Sequence, residues 1–275
     1  MYNDLFSIGP ITVHSYGLFT AIGLIAALWL ACARAKKRGL NEDICYGILF
    51  SGVIFGYLCS KLTYVLIEWD SFVKDPKLFL SQSGFVVIGG LAGGVFAAWA
   101  YCRIKKVKFI DYFDLCIPSI AIAQGFGRIG CFMAGCCYGK CTDSPIGIAF
   151  THSDYAPNNV KLIPTQLISS AGDFLNMALL LIIAKKAKKK GTVAAAYMLT
   201  YSVGRFLIEY LRDDDRGTIG IFSTSQFFSL IIFVIGVLFL VFVLKKGEDV
   251  EPVAVSAESG SEETSVTEES ADEEV

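Results

Sequence analysis

Long apolar blocks, each of roughly 19–25 residues, recur seven times along this chain. A hydrocarbon core is about 30 Å thick and a helix rises about 1.5 Å per residue, so each block can cross a bilayer as one helix. The blocks fall at residues 13–33, 44–67, 84–102, 109–131, 165–184, 192–211 and 221–244. Hydrophobic residues make up 54% of the 275 and charged residues only 18%, against about 25% charge in an average soluble domain. The expected fold is therefore all-α: a polytopic membrane domain of about seven transmembrane helices over residues 1–246, followed by a tail at 247–275.

Basic residues in short loops set orientation. Arg34, Lys36, Lys37 and Arg38 follow the first block, and Arg103, Lys105, Lys106 and Lys108 follow the third. A run from Lys185 to Lys190 follows the fifth, and Lys245 and Lys246 follow the last. With seven spans all 15 of these residues lie on one side, against six on the other, whereas a six-span chain would strand the last pair. The basic side should be cytoplasmic, which leaves the N-terminus outside and the C-terminus inside. The net charge of −2 conceals a division: residues 248–275 carry 11 acidic and no basic residues, and the rest carries 24 basic against 15 acidic. A tail so charged, with no aromatic residue, cannot bury enough apolar surface to order itself, and disorder is expected there. The first residues lack the basic start and cleavage site of a signal peptide, so the first block reads as a retained anchor. No repeat of 20–50 residues is evident.

Ionisable residues within spans are costly, at about 2.5–3.5 kcal/mol even on lenient scales, and so mark function or pairing. Lys61 lies late in its span, where snorkelling to the interface accounts for it. Arg205 and Glu209 are four apart on one helical face and suit an intrahelical pair. Arg128 has no acidic neighbour in sequence, so its partner comes from another helix or from a ligand. Guanidinium holds phosphate bidentately and keeps its charge, and Arg128 and Arg205 together suit an anionic phospholipid headgroup. The RDDDRG segment after the sixth span is either a solvated turn or the mouth of a site. The glycines of GGLAGG and of the 125–130 segment suit close helix packing.

Five of nine cysteines, Cys32, Cys45, Cys59, Cys102 and Cys116, are scattered in apolar spans as small hydrophobes. Cys131, Cys136, Cys137 and Cys141 cluster in CFMAGCCYGKC, which lacks the C-x2-C pairs of common zinc and iron–sulfur sites. No metal is expected there; a disulfide, inert packing and a reactive thiol all remain open. His14 and His152 are interfacial positions. No serine-hydrolase elbow, phosphate loop or HExxH helix is present.

Several segments, in order along residues 8–244, resemble the prolipoprotein diacylglyceryl transferase family. They are SIGPITVHSYGLFTAIG with Tyr16-Gly17, SGFVVIGGLAGG, GRIGCFMAGCCYG, IPTQL, GRFLIEYLRDDDRG, and Gln226 at the start of the last span. The resemblance implies a bacterial plasma-membrane enzyme with seven spans and its N-terminus outside. It would move the diacylglyceryl group of phosphatidylglycerol to the lipobox cysteine thiol of a prolipoprotein, releasing glycerol phosphate. Its partners would be phosphatidylglycerol and the precursor's signal peptide, with no soluble cofactor and no nucleic acid. Arg128 would bind the donor phosphate, Arg205 would stabilise the leaving phosphate, and Tyr16 would position lipid or thiol. Glu209, Arg212, Gly89 and Gly90 would complete the substrate-binding set. The chain departs from the family pattern at Cys131, Ala134 and Cys136, which replace two asparagines and a glutamate. Ile88 stands where a histidine proposed as the thiol base is usual. Two arginines, Tyr16 or His14 would then have to favour the thiolate. Those departures leave open a diverged paralogue that binds phospholipid or does thiol redox chemistry. A small transporter would show matched broken spans, and none is seen.

Overall fold

A computed structural model describes residues 4–9, 11–76, 84–214 and 217–250. All seven expected spans are helical. They are α1 (Ser15–Lys37), α2 (Glu42–Ile67), α4 (Val87–Ile104), α5 (Phe109–Ala134), α6 (Thr165–Lys186), α7 (Thr192–Ile208) and α8 (Thr224–Lys246). A short helix, α3 (Trp69–Lys74), follows α2 and was not expected. Six of the long helices are apolar and long enough to cross a membrane. The remaining one, α7, has 17 residues and continues as a 3-10 turn over Glu209–Leu211. The chain is thus an all-α, multi-pass membrane protein. The expected disorder of the tail falls almost wholly outside the described residues.

Local chemistry fixes the helix ends. Asn41 caps α2 by accepting from the Asp43 amide at 2.8 Å. Ser223 and Gln226 form a reciprocal capping box on α8. Gly135 closes α5 in the left-handed region at φ 76°, the conformation that glycine reaches without a Cβ penalty.

The central helix is α5, which packs against α1, α6 and α7, while α8 lies along α7 and α4 lies along α2. Small residues let α2 and α4 approach: a Cβ on Gly90 would stand 3.2 Å from the Gly56 carbonyl oxygen and from Ser60 Cβ. Gly89 faces Thr63 and Cys59 in the same seam. Large apolar side chains such as Ile25, Trp29, Leu66 and Leu238 point outward, as lipid-facing residues do.

The four basic clusters meet at one end of the bundle. Arg38 donates to the Ala184 carbonyl at 3.2 Å, and buried Arg34 donates to that of Leu115. Asp114 of α5 accepts from the Gly191 and Ala194 amides at 2.6 and 2.9 Å, serving as a side-chain cap from another helix for the start of α7. Lys190 pairs with Asp111 at 2.8 Å, and Lys108 with Glu248 at 2.7 Å. The segment after α8 joins this end through the main chain as well, from the Lys190 amide to the Glu248 carbonyl at 2.9 Å and from the Val250 amide to that of Lys188 at 2.8 Å.

The opposite end carries three small antiparallel hairpins. They are β1 (Asp4–Ile8) with β2 (Ile11–His14), β3 (Ile148–Ala149) with β4 (Lys161–Leu162), and β5 (Thr218–Ile219) with β6 (Phe222–Ser223). His14 bonds Asp4 at 2.6 Å across the first hairpin. Phe150, Leu162 and Ala156 form a buried cluster beneath the long α5–α6 connection.

Candidate active site

The residues singled out from chemistry gather at the hairpin end. Tyr16 opens α1, Arg128 lies in the last two turns of α5, and Arg205 and Glu209 end α7. The expected intrahelical pair is present: Arg205 Nη1 lies 2.7 Å from Glu209 Oε2, both side chains being nearly buried. Arg205 Nη2 also donates to Ser225 Oγ of α8 at 2.6 Å. Glu209 in turn accepts from Ser223 Oγ at 2.9 Å, and Ser223 belongs to the capping box with Gln226. One carboxylate and two hydroxyls therefore set the direction of the Arg205 guanidinium. A planar fork held in this way loses less entropy on meeting an anion than a free one.

Cys131, Tyr201 of α7, Cys137 and, more weakly, Asp173 of α6 act electrostatically on Arg128. Asp173 is the carboxylic acid among them and stands on another helix, one of the two sources that the isolation of Arg128 in sequence left open. Asp173 lies inside an apolar span and was readable there as an ionisable residue, but sequence analysis did not single it out. Tyr16 is half exposed and borders Arg128, Cys131 and Cys136.

The segment after α5 is held by atoms of the IPTQL motif. Thr165 Oγ1 donates to the Cys137 carbonyl and Gln166 Nε2 to the Cys136 carbonyl, each at 2.8 Å. Both donors are fully buried. Main-chain bonds from Gly139 to Ile163 and from Lys140 to Leu211 weave this segment between α6 and the end of α7. Cys137 adopts φ 63°, a left-handed conformation that costs a non-glycine residue about 1–2 kcal/mol. Such an outlier is retained only where its surroundings over-determine it.

Here the cysteines come together. The Sγ atoms of Cys131, Cys136 and Cys137 lie within 4.8 Å of one another, while Cys141 stands apart and exposed. All nine cysteines are thiols, so the structure contains no disulfide among its described residues. The thiols of Cys131 and Cys136, followed by the Arg212 guanidinium, hold the Cys137 thiol well below its ordinary range. Cys131 and then Cys137 push the Cys136 thiol up. Arg212 is buried and makes a bidentate pair with Asp214 at 2.7 and 2.8 Å. Burial opposes its charge, but Asp214 and Cys137 outweigh burial and keep it firmly protonated. Thus RDDDRG is in part a built structure, although Asp215 and Arg216 lie outside the described residues.

Other expected residues are placed elsewhere. Gly89 and Gly90 line the α2–α4 seam. Ile88 beside them is partly exposed and carries no proton-accepting atom. Lys61 sits over the rings of Tyr64 and Phe85 at 5.3 and 5.2 Å, a packing role. His152 is an exposed loop residue near Thr151.

The profile described as prolipoprotein diacylglyceryl transferase matches residues 3–242, spanning every helix that builds this site. The chain belongs to the prolipoprotein diacylglyceryl transferase family. Named phosphatidylglycerol–prolipoprotein diacylglyceryl transferases are among its relatives. The protein of Clostridium tetani is 44% identical over 234 residues, covering 85% of this chain and 94% of that one. The second such transferase of Clostridium perfringens is 43% identical over 229 residues, covering 82% and 89%. That of Clostridioides difficile is 32% identical over 246 residues, covering 89% and 96%. In this member of the prolipoprotein diacylglyceryl transferase family, the match includes Arg128, Arg205 and the three gathered cysteines.

Proposed function

We propose that this chain transfers the diacylglyceryl group of phosphatidylglycerol to the lipobox cysteine thiol of prolipoproteins. A peptide thiolate attacks the glyceryl carbon, a thioether forms, and glycerol phosphate leaves with the electrons of the broken carbon–oxygen bond. The observation that carries this reading is Arg205, oriented by Glu209 and Ser225, at the same end as Arg128 in a chain otherwise built for lipid. Positive groups aimed in advance at a developing phosphate charge supply the electrostatic stabilisation such a step needs. Arg128 holds the donor phosphate and Arg205 receives the leaving one. Tyr16 positions the reacting groups, and Glu209 and Arg212 organise the rim. Gly89 and Gly90 act in substrate binding through the α2–α4 seam that they close.

The enzyme sits in the bacterial plasma membrane with its basic end cytoplasmic and the site toward the outer face. The 15 clustered basic residues support that orientation. The identity to named transferases favours catalysis over the diverged lipid-binding paralogue.

The test is transfer of labelled diacylglyceryl from phosphatidylglycerol to a lipobox peptide by the purified protein. Arg128→Ala and Arg205→Ala should each lower the rate at least about 10²-fold, the usual cost of one transition-state donor. A folded wild-type protein that transfers nothing would refute the assignment.

A further inference from the structure

Three sulfur atoms on one rigid frame, within reach of one another, form a ligand set that the linear spacing of the cysteines does not reveal. Metal–sulfur bonds of about 2.3 Å in a tetrahedral site place sulfurs about 3.8 Å apart, so thiols already within 4.8 Å need only a small contraction. The frame is fixed on both sides. Cys131 belongs to the last turn of α5, Gly135 ends that helix, and the left-handed Cys137 belongs to a segment whose carbonyls Thr165 and Gln166 hold. No carboxylate or imidazole joins the group among the described residues. Such an all-sulfur set selects soft, closed-shell ions over magnesium or calcium.

We propose that Cys131, Cys136 and Cys137 form a three-thiolate site for a thiophilic d10 cation, zinc(II) or copper(I), with a fourth position for the incoming peptide cysteine. A site with three protein ligands and one open position is the usual form of catalytic rather than structural zinc. The charge balance also suits it. Three thiolates leave a zinc site with one excess negative charge, and the Arg212 guanidinium acts on Cys137 while Arg128 lies one turn before Cys131.

The inference rests on the transferase reading and deepens it. On loading, the ligand thiols lose their protons to solvent as sulfur–metal bonds form. The peptide thiol then gives up its proton in the same way and binds as a thiolate, the only form able to attack. Its sulfur forms the bond to the glyceryl carbon, the carbon–oxygen bond to phosphate breaks, and glycerol phosphate departs with that electron pair. The neutral thioether is a poorer ligand than a thiolate and leaves the cation.

The experiment uses the full chain, purified in detergent with a non-thiol reductant that is removed before labelling, and no chelator. Metal content is measured, and zinc(II), copper(I) and cobalt(II) are titrated separately into metal-free protein. One cation per chain should be retained, with cobalt giving a sulfur-to-metal charge-transfer band. The band should shift with a lipobox peptide but not with its Cys→Ser counterpart. Cys131→Ser, Cys136→Ser and Cys137→Ser should each lose the cation, and Cys141→Ser should keep it. Zinc should also protect three thiols of the wild-type protein from maleimide while Cys141 stays reactive, a readout that needs no variant to fold. Equal metal in wild type and variants would mean an adventitious ion only and would overturn the site. Undiminished transfer by metal-free wild type would overturn it too, while leaving the transferase reading intact. A loaded protein whose band shifts with peptide yet transfers nothing would uphold the site and refute the transferase reading.

Discussion

Gln166 shows how one buried amide can set the geometry of residues it does not chemically resemble. Its Nε2 donates to the Cys136 carbonyl from a fully buried position. Removing such a donor leaves a carbonyl without its partner, at a cost of about 1–3 kcal/mol. Gln166→Ala should therefore lower the thermal midpoint in detergent and, on the transferase reading, the transfer rate. Gln166→Glu, in which an acceptor faces a carbonyl, should be no better than alanine. A rate that survives both substitutions would show that the cysteine segment does not depend on this clamp. Arg205 makes a second case. Arg205→Lys keeps the charge but loses the planar fork that meets Glu209 and Ser225 together. Its transfer rate should fall nearly as far as that of Arg205→Ala, which kinetics of the two variants side by side would check. Arg128 and Arg205 were legible in the sequence because a charge inside an apolar run is conspicuous. The Thr165 and Gln166 contacts were not, because each joins residues about thirty positions apart.

Among the helices, the start of α7 depends on a residue of α5. Asp114 accepts from the amide of Gly191, which precedes α7, and from that of Ala194 in its first turn, a task usually given to the preceding residue of the same chain segment. Asp114→Ala should destabilise the bundle by about 1–2 kcal/mol, the upper range for loss of a cap, and should expose the 187–192 connection to protease. Unchanged protection of that connection would rule the cap out. The spans themselves were legible to within a few residues, since a length of about 20 apolar residues is what a bilayer requires. Helix α3 and the paired strands were not. They are too short to carry a periodic pattern, and their pairings arise from the loops that fold over the hairpin end.

Across the whole bundle, charge is divided between the ends. Lys108, Lys189 and Lys190 draw in Glu248 and Asp249, anchoring the chain just beyond α8 to the basic end. Lys108 holds the Glu248 carboxyl below its ordinary range. A depressed carboxyl contributes to the folded state above its unfolded value, and the contribution is lost as pH falls through the folded value. Protection of the Lys190 and Val250 amides from hydrogen exchange, taken relative to each amide's intrinsic rate at the same pH, should accordingly be strong near neutrality and weaken in acid. High salt should weaken it as well, because the pairs are exposed. Protection indifferent to both would mean that the main-chain bonds alone hold this segment.

An apolar recess of about 570 Å³ opens at the hairpin end beside Phe222, Phe227, Leu230, Ile231 and Val234. Most of its wall belongs to α8, an apolar helix long enough to cross a membrane, so the recess lies open to molecules travelling within the sheet of lipids. For a transferase built in this way, encounter is a two-dimensional event counted per unit area. Adding inert detergent at constant phosphatidylglycerol would then slow turnover by surface dilution, and the rate would follow the mole fraction of donor in the micelle rather than its amount per litre.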